Sequence, residues 1–178
     1  GTERLNRLIE GLYDIASLGN SEQTPHAVKD IVLDGVGERR HMAKGRQVEL
    51  VVNVDEGLPL INGNREWLAR AVRNLVDNAI DATPPGGVVT VSARAASGGE
   101  PGASQRREVE FSVHNTGSFI DENMRKKIFE PFFTSKRTGM GLGLSIVQEI
   151  TQSHGGRLWV ESDREKGTRF AFRIPSLD

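Results

Sequence analysis

Between residues 64 and 82 the apolar positions Leu68, Ala71, Val72, Leu75, Val76 and Ala79 recur at alternating steps of three and one, which is the spacing of one face of an α-helix. Pro84-Pro85-Gly86-Gly87 closes that pattern as a turn. The stretch QVELVVNV, residues 47–54, instead alternates and is rich in β-branched side chains, so it predicts a strand. Further strands are predicted over residues 88–95, 108–114, 157–161 and 169–174. Thr24 and Pro25 suit a cap and a first helical residue, and predict a helix running to about Ala43. A short helix is expected near residues 122–128, and a longer one from about Leu142 to Ser153 that Gly155-Gly156 stops. Residues 97–105, rich in Gly and Ser, predict a mobile hairpin loop. Leu5, Leu8, Leu12 and Ile15 form a two-heptad seam, widened by Ile9 and Ala16, before the stop Gly19-Asn20. So short a helix needs a partner surface, either its own domain or a second helix of an intermolecular bundle. There is no internal repeat. Strands and helices mix without strict alternation, which predicts a two-layer α/β sandwich with a mixed, mostly antiparallel sheet and helices on one face.

Composition narrows this picture in three respects. The chain has 178 residues, 37% hydrophobic and 26% charged, enough for one packed domain with an appendage and unlike a disordered chain. Lys+Arg 23 against Asp+Glu 24 gives a formal net charge of -1, which argues against nucleic acid as a partner bound through a basic face. The absence of Cys removes thiolate metal sites and fits a reducing, cytoplasmic compartment. No apolar run approaches the roughly 20 residues of a membrane span, although a longer parent protein is free to be anchored elsewhere.

Two stretches carry residue types that packing does not call for. Asn74, Asn78 and Asp81 lie at i, i+4 and i+7 of the predicted 64–82 helix, along one stripe. Asn is about 0.5–0.7 kcal/mol worse than Ala in a helix interior, and a merely solvated stripe is better served by Lys or Glu. The oxygens suit a hard cation such as Mg²⁺, which takes oxygen ligands and keeps several waters. FEPFFTSKRTGMGLGLSIV, residues 129–147, sets Gly139, Gly141 and Gly143 at every second position before a helical pattern. The first turn of a helix has free N–H groups and a partial positive charge, so an anion is the expected occupant. Lys136 and Arg137 stand beside it, and Phe129, Phe132 and Phe133 read as core or lid packing. VHNTGSFID, residues 113–121, ends a strand with Asn115 and turns at Gly117, where a side chain can meet a ligand's edge or merely serve the turn.

Taken in order, Asn-x-x-x-Asn-Ala, Asn-x-Gly, FEPFFTSK, GMGLGL and the final GTRFAFRIP resemble the N, G1, F, G2 and terminal Gly-Thr boxes of the sensor histidine kinase catalytic domain, in the GHKL ATPase superfamily. The resemblance spans about residues 28–175. It implies the Bergerat ATP-binding fold over residues 21–178, preceded at 1–20 by the end of a dimerisation helix. It also implies a MgATP-dependent transfer of the γ-phosphoryl group to a histidine on an upstream helix, a homodimeric parent and a response regulator receiver domain as partner. Gly139, Gly141, Leu142, Gly143 and Leu144 would set backbone N–H groups on the phosphates, in a lid expected to move between Lys136 and Met140. Asn78 would hold Mg²⁺, with Asn74 supporting the metal and phosphate side and Lys136 facing the γ-phosphate. Asn115 would meet the adenine amino group, Gly117 would allow close approach, and Thr168 would lie near the base.

The chain departs from the family pattern at the G1 box, where Asp-x-Gly-x-Gly is Asn115-Thr116-Gly117-Ser118-Phe119, and Met140 replaces a frequent Thr. Asn has both an acceptor and a donor, so the sequence leaves it free to meet either adenine or guanine. His26, His41, His114 and His154 are the histidines present, and none stands in a His-acid pair on a heptad helix, so the phosphoacceptor is expected upstream. A second reading, from another class, is a regulatory module whose altered G1 box has lost useful nucleotide binding. A hydrolase of the superfamily would need a glutamate base where Asn74 stands.

Overall fold

The computed structural model describes residues 1–17, 22–98, 106–131, 133 and 143–177. The chain opens with α1 (Thr2–Ser17), then β1 (Thr24–His26), α2 (Val28–Val36) and α3 (Arg39–Gly45). β2 (Glu49–Val54), β3 (Ile61–Gly63) and α4 (Arg65–Ala82) follow. The second half contains β4 (Val88–Gly98), β5 (Arg106–Asn115), α5 (Glu122–Lys127), α6 (Gly143–Ser153), β6 (Arg157–Asp163) and β7 (Gly167–Pro175). Five strands form one sheet in the order β2-β4-β5-β7-β6, in which β2 runs parallel to β4 and every other pairing is antiparallel. This is the expected mixed, mostly antiparallel α/β sandwich. Among the described residues no helix is long and apolar enough to cross a membrane.

Period-two alternation decides which side of the sheet is covered. Val89, Val91 and Ala93 of β4, Val109, Phe111 and Val113 of β5, and Phe170, Phe172 and Ile174 of β7 share one face. Leu68, Val72, Leu75, Val76 and Ala79 of α4 and Ile146, Val147 and Ile150 of α6 close over them. Phe111 and Phe172, cross-strand partners, stack with ring centroids 4.8 Å apart. Phe129 meets Phe170 edge-on at 6.1 Å, and Phe133 packs against the same core, so both serve packing as expected; Phe132 lies outside the described residues. α4 starts as predicted, with the Asn64 side chain accepting from the Trp67 N–H.

The opposite face is not simply wet. Glu110 points there from the central strand, yet it is only 1% exposed, because Arg94, Arg169 and Arg173 from the two flanking strands close over its carboxylate. Burial opposes its charge, but hydrogen bonds from Arg94 and Arg173 and the Arg169 guanidinium together hold its pKa below the ordinary carboxylate value.

The predicted helix from Thr24 to Ala43 is corrected in two places. Residues 24–26 pair antiparallel with Ile61–Gly63 as a two-stranded sheet, and Thr24 hydrogen-bonds His26 rather than capping a helix. The helical stretch then divides at Gly37, whose N–H closes onto the Leu33 carbonyl. Strand pairing satisfies the backbone of 24–26 more fully than an exposed helix end would. The predicted 97–105 loop is partly strand, since Ser97 and Gly98 belong to β4; residues 99–105 lie outside the described residues.

Candidate nucleotide site

The polar stripe of α4 and the start of α6 are brought together. Asn74 Nδ2 donates to the Gly143 carbonyl at 3.3 Å. Gly143 opens α6, as the glycine pattern predicts, and Leu144 packs against the core. Asn78, half-buried, stands one turn further along α4. The two aspartates of this helix are engaged by arginines: Asp77 accepts from Arg39 at 3.1 Å, and Asp81 from Arg46 at 2.6 Å. Both cations come from the α3 region. Among the described residues no cluster of three or more His, Asp or Glu could hold a metal ion. The metal-type oxygens that α4 can offer near α6 are therefore those of the neutral side-chain amides of Asn74 and Asn78. That donor set fits Mg²⁺ only when phosphate oxygens and water complete its shell, the usual manner of Mg²⁺ at nucleotides. Lys136, Gly139, Gly141 and Leu142 lie outside the described residues.

The residues expected at the base end come together where β5 and β7 meet. Asn115 is 3% exposed and sits opposite Thr168 in register. Gly117 has φ of 77°, and a Cβ there would come within 2.7 Å of Pro84 Cδ, so its need for glycine is already met by protein contacts. A Cβ on Gly167, with φ of 89°, would lie 2.1 Å from the Asn115 carbonyl oxygen. The turn between β6 and β7 thus presses directly onto the residue that ends β5. Hydroxyl groups continue this contact. Asn115 Nδ2 donates to Ser118 Oγ at 2.8 Å and to the Thr116 carbonyl at 3.1 Å. Ser118 Oγ donates to Thr168 Oγ1 at 2.9 Å, and Thr168 Oγ1 also meets Ser162 Oγ at 2.9 Å. Ser162 Oγ accepts from the Ile120 N–H, and Arg125 donates to the carbonyls of Ile120 and Ser162. Arg164 lies over the Phe119 ring, 4.2 Å from its centroid. The loop after β5 is thereby tied to the far hairpin on both sides.

Sequence reasoning did not single out Ser118, Ser162 or Arg164. The two serines gave only the signal of small hydroxyls near strand ends, which turns use everywhere, and Arg164 only that of a charged turn residue. His154 is buried. Its Nε2 accepts from the Asn64 N–H at 3.0 Å and its Nδ1–H donates to the Ile150 carbonyl at 2.7 Å. Burial holds its pKa below the ordinary 6.5.

Residues 63–178 match the family described as Histidine kinase-, DNA gyrase B-, and HSP90-like ATPase. The chain belongs to this ATPase family, among its sensor histidine kinase catalytic, ATP-binding domains. It is 32% identical to the sensor protein FixL of Bradyrhizobium diazoefficiens, over 98% of this chain and 34% of that relative. It spans only about a third of FixL's length. The nucleotide-free catalytic domain of histidine kinase ThkA superposes with a TM-score of 0.72 at 30% identity, covering 88% of this chain and 97% of that one. ThkA in complex with the response regulator protein TrrA gives 0.73 at 28% identity, over 98% of this chain and 49% of the other.

Proposed function

We propose that this chain binds MgATP and transfers the γ-phosphoryl group to a histidine carried on a dimerisation helix, in a two-component signalling protein. The observation that carries the reading is the contact between Asn74 and Gly143. It ties an amide side chain of the polar stripe on α4 to the helix start whose N–H groups suit phosphate. In this reading Gly139, Gly141, Leu142, Gly143 and Leu144 receive the phosphates, Lys136 neutralises charge on the transferring group, and Asn115 with Thr168 takes the base. Bound Mg²⁺, held through Asn78 with Asn74 in support, supplies charge neutralisation. The protein's own part is positioning, which for a loose phosphoryl-transfer transition state is most of the catalysis.

The division into a helix at 1–20 and a catalytic domain at 21–178 is part of the proposal. Leu5, Ile9 and Leu12 of α1 are each about half exposed, as a helix awaiting a bundle partner would leave them. The partners that follow are a second copy of the parent protein and a response regulator receiver domain. Calorimetry with ATP tests the site. Asn78→Ala should abolish Mg²⁺-dependent binding with native circular dichroism, because it removes a ligand and inserts a better helix former. Unchanged MgATP affinity in a folded variant would sink the assignment.

A further inference from the structure

We propose that the Asn115 amide is fixed before any nucleotide arrives, with Nδ2 turned into the protein and Oδ1 the only pole left for the base. An asparagine held this way reads a purine as a carboxylate would: it accepts from an exocyclic amino group and rejects a 6-oxo group. The inference rests on the reading of Asn115 as the residue that meets the base.

The argument turns on what each neighbour can accept or give. The Thr116 carbonyl, 3.1 Å from Nδ2, has no proton and can only accept. Ser118 has one hydroxyl proton and commits it to Thr168 Oγ1, so toward Asn115 it too offers lone pairs. Turning the amide over would set Oδ1 against the Thr116 carbonyl, and Ser118 could answer it only by giving up its own hydrogen bond to Thr168. At the usual worth of one such bond, that disfavours the turned amide by a factor on the order of ten. Nor can the acceptors easily retreat. Ser162 is pinned by the Ile120 N–H, Arg125 ties the same loop to the β6–β7 hairpin, and Arg164 covers Phe119. Among the described residues, no hydrogen bond is made to Asn115 Oδ1. The sequence allows an asparagine that reads either base; the folded loop does not.

The test is competition binding of ATP and GTP to the wild-type chain and to Asn115→Asp, Asn115→Ala, Ser118→Ala and Ser118→Thr. Thermal melts confirm folding, and NMR follows exchange of the Asn115 Nδ2 protons in the nucleotide-free protein. The wild type should prefer ATP at least about tenfold, the equivalent of one good hydrogen bond. Asn115→Asp should leave the ATP/GTP ratio within about threefold, because both side chains present an acceptor. Ser118→Ala removes one of two anchors and should narrow the ratio by about three- to tenfold, with Ser118→Thr restoring it. The Nδ2 protons should exchange slowly. A ratio widened tenfold or more by Asn115→Asp, or Nδ2 exchange as fast as in a free asparagine, overturns the fixed amide while leaving the base contact in place. Undiminished ATP affinity in Asn115→Ala removes the base contact itself, and this inference with it.

Discussion

Gly167 stands where a Cβ would lie 2.1 Å from the Asn115 carbonyl oxygen, with φ at 89°. Two costs are superposed there: a left-handed backbone that L residues resist, and a collision with main chain that has no rotamer to escape into. Gly57 separates them, because its φ is 71° but nothing lies within 4 Å of the place a methyl group would take. Gly57→Ala should therefore cost about 1 kcal/mol. Gly167→Ala should cost about 1–3 kcal/mol more through the displaced strand end, and should also weaken ATP binding, which Gly57→Ala should leave alone. Urea unfolding and ATP titration of both variants measure this. Equal destabilisation would show that the turn between β6 and β7 does not position Asn115.

At the scale of elements, His154 joins the end of α6 to the start of α4. It accepts the Asn64 N–H while Asn64 caps α4 through Trp67. The imidazole must be neutral for this, since a protonated Nε2 has no lone pair to offer. Its folded pKa is below 6.5, with burial the main cause, so the unfolded chain takes up the proton first as the solution is acidified. Stability is thus retained above about pH 6.5 and falls as pH drops below it, until the folded pKa is passed. Glu110, depressed from 4.5, adds its own loss only below that value, where its carboxylate binds a proton more readily unfolded than folded. Melting temperatures between about pH 8 and pH 5.5 should decline below about 6.5 in the wild type and decline less in His154→Gln. Parallel curves would mean that the Asn64–His154 contact does not couple to protonation.

For the whole molecule, the position of the four histidines bears on phosphoryl transfer. His154 is buried, His114 bonds the Lys166 carbonyl, His26 is held in β1 by Thr24, and His41 lies in α3. None is carried on the half-exposed seam of α1. The chain incubated alone with MgATP should form no acid-labile phosphohistidine. It should label a separately supplied dimerisation helix of the parent protein that carries a His-acid pair. Label on this chain by itself would redirect attention to His26 and His41.

Much of this was readable in one dimension. The apolar stripe of α4, the alternation of β4, β5 and β7, and the order of Asn, Gly-rich and Gly-Thr segments follow from spacing along the chain, because backbone geometry alone decides which residues share a face. The resemblance carried by that order named the family that residues 63–178 match. What spacing could not show were partners far apart in sequence. Thr24-Pro25 reads locally as a helix start, and only Ile61–Gly63, folded alongside, makes it a strand. Glu110 reads as a solvated position until arginines from two other strands close over it. Ser118 and Thr168, 50 positions apart, become one network only when β5 and β7 pair in register. In the proposed reading, that pairing turns an asparagine able to read either base into one with a fixed acceptor. The local pattern settles which side chains face inward; the register of closed strands settles which donors and acceptors they meet there.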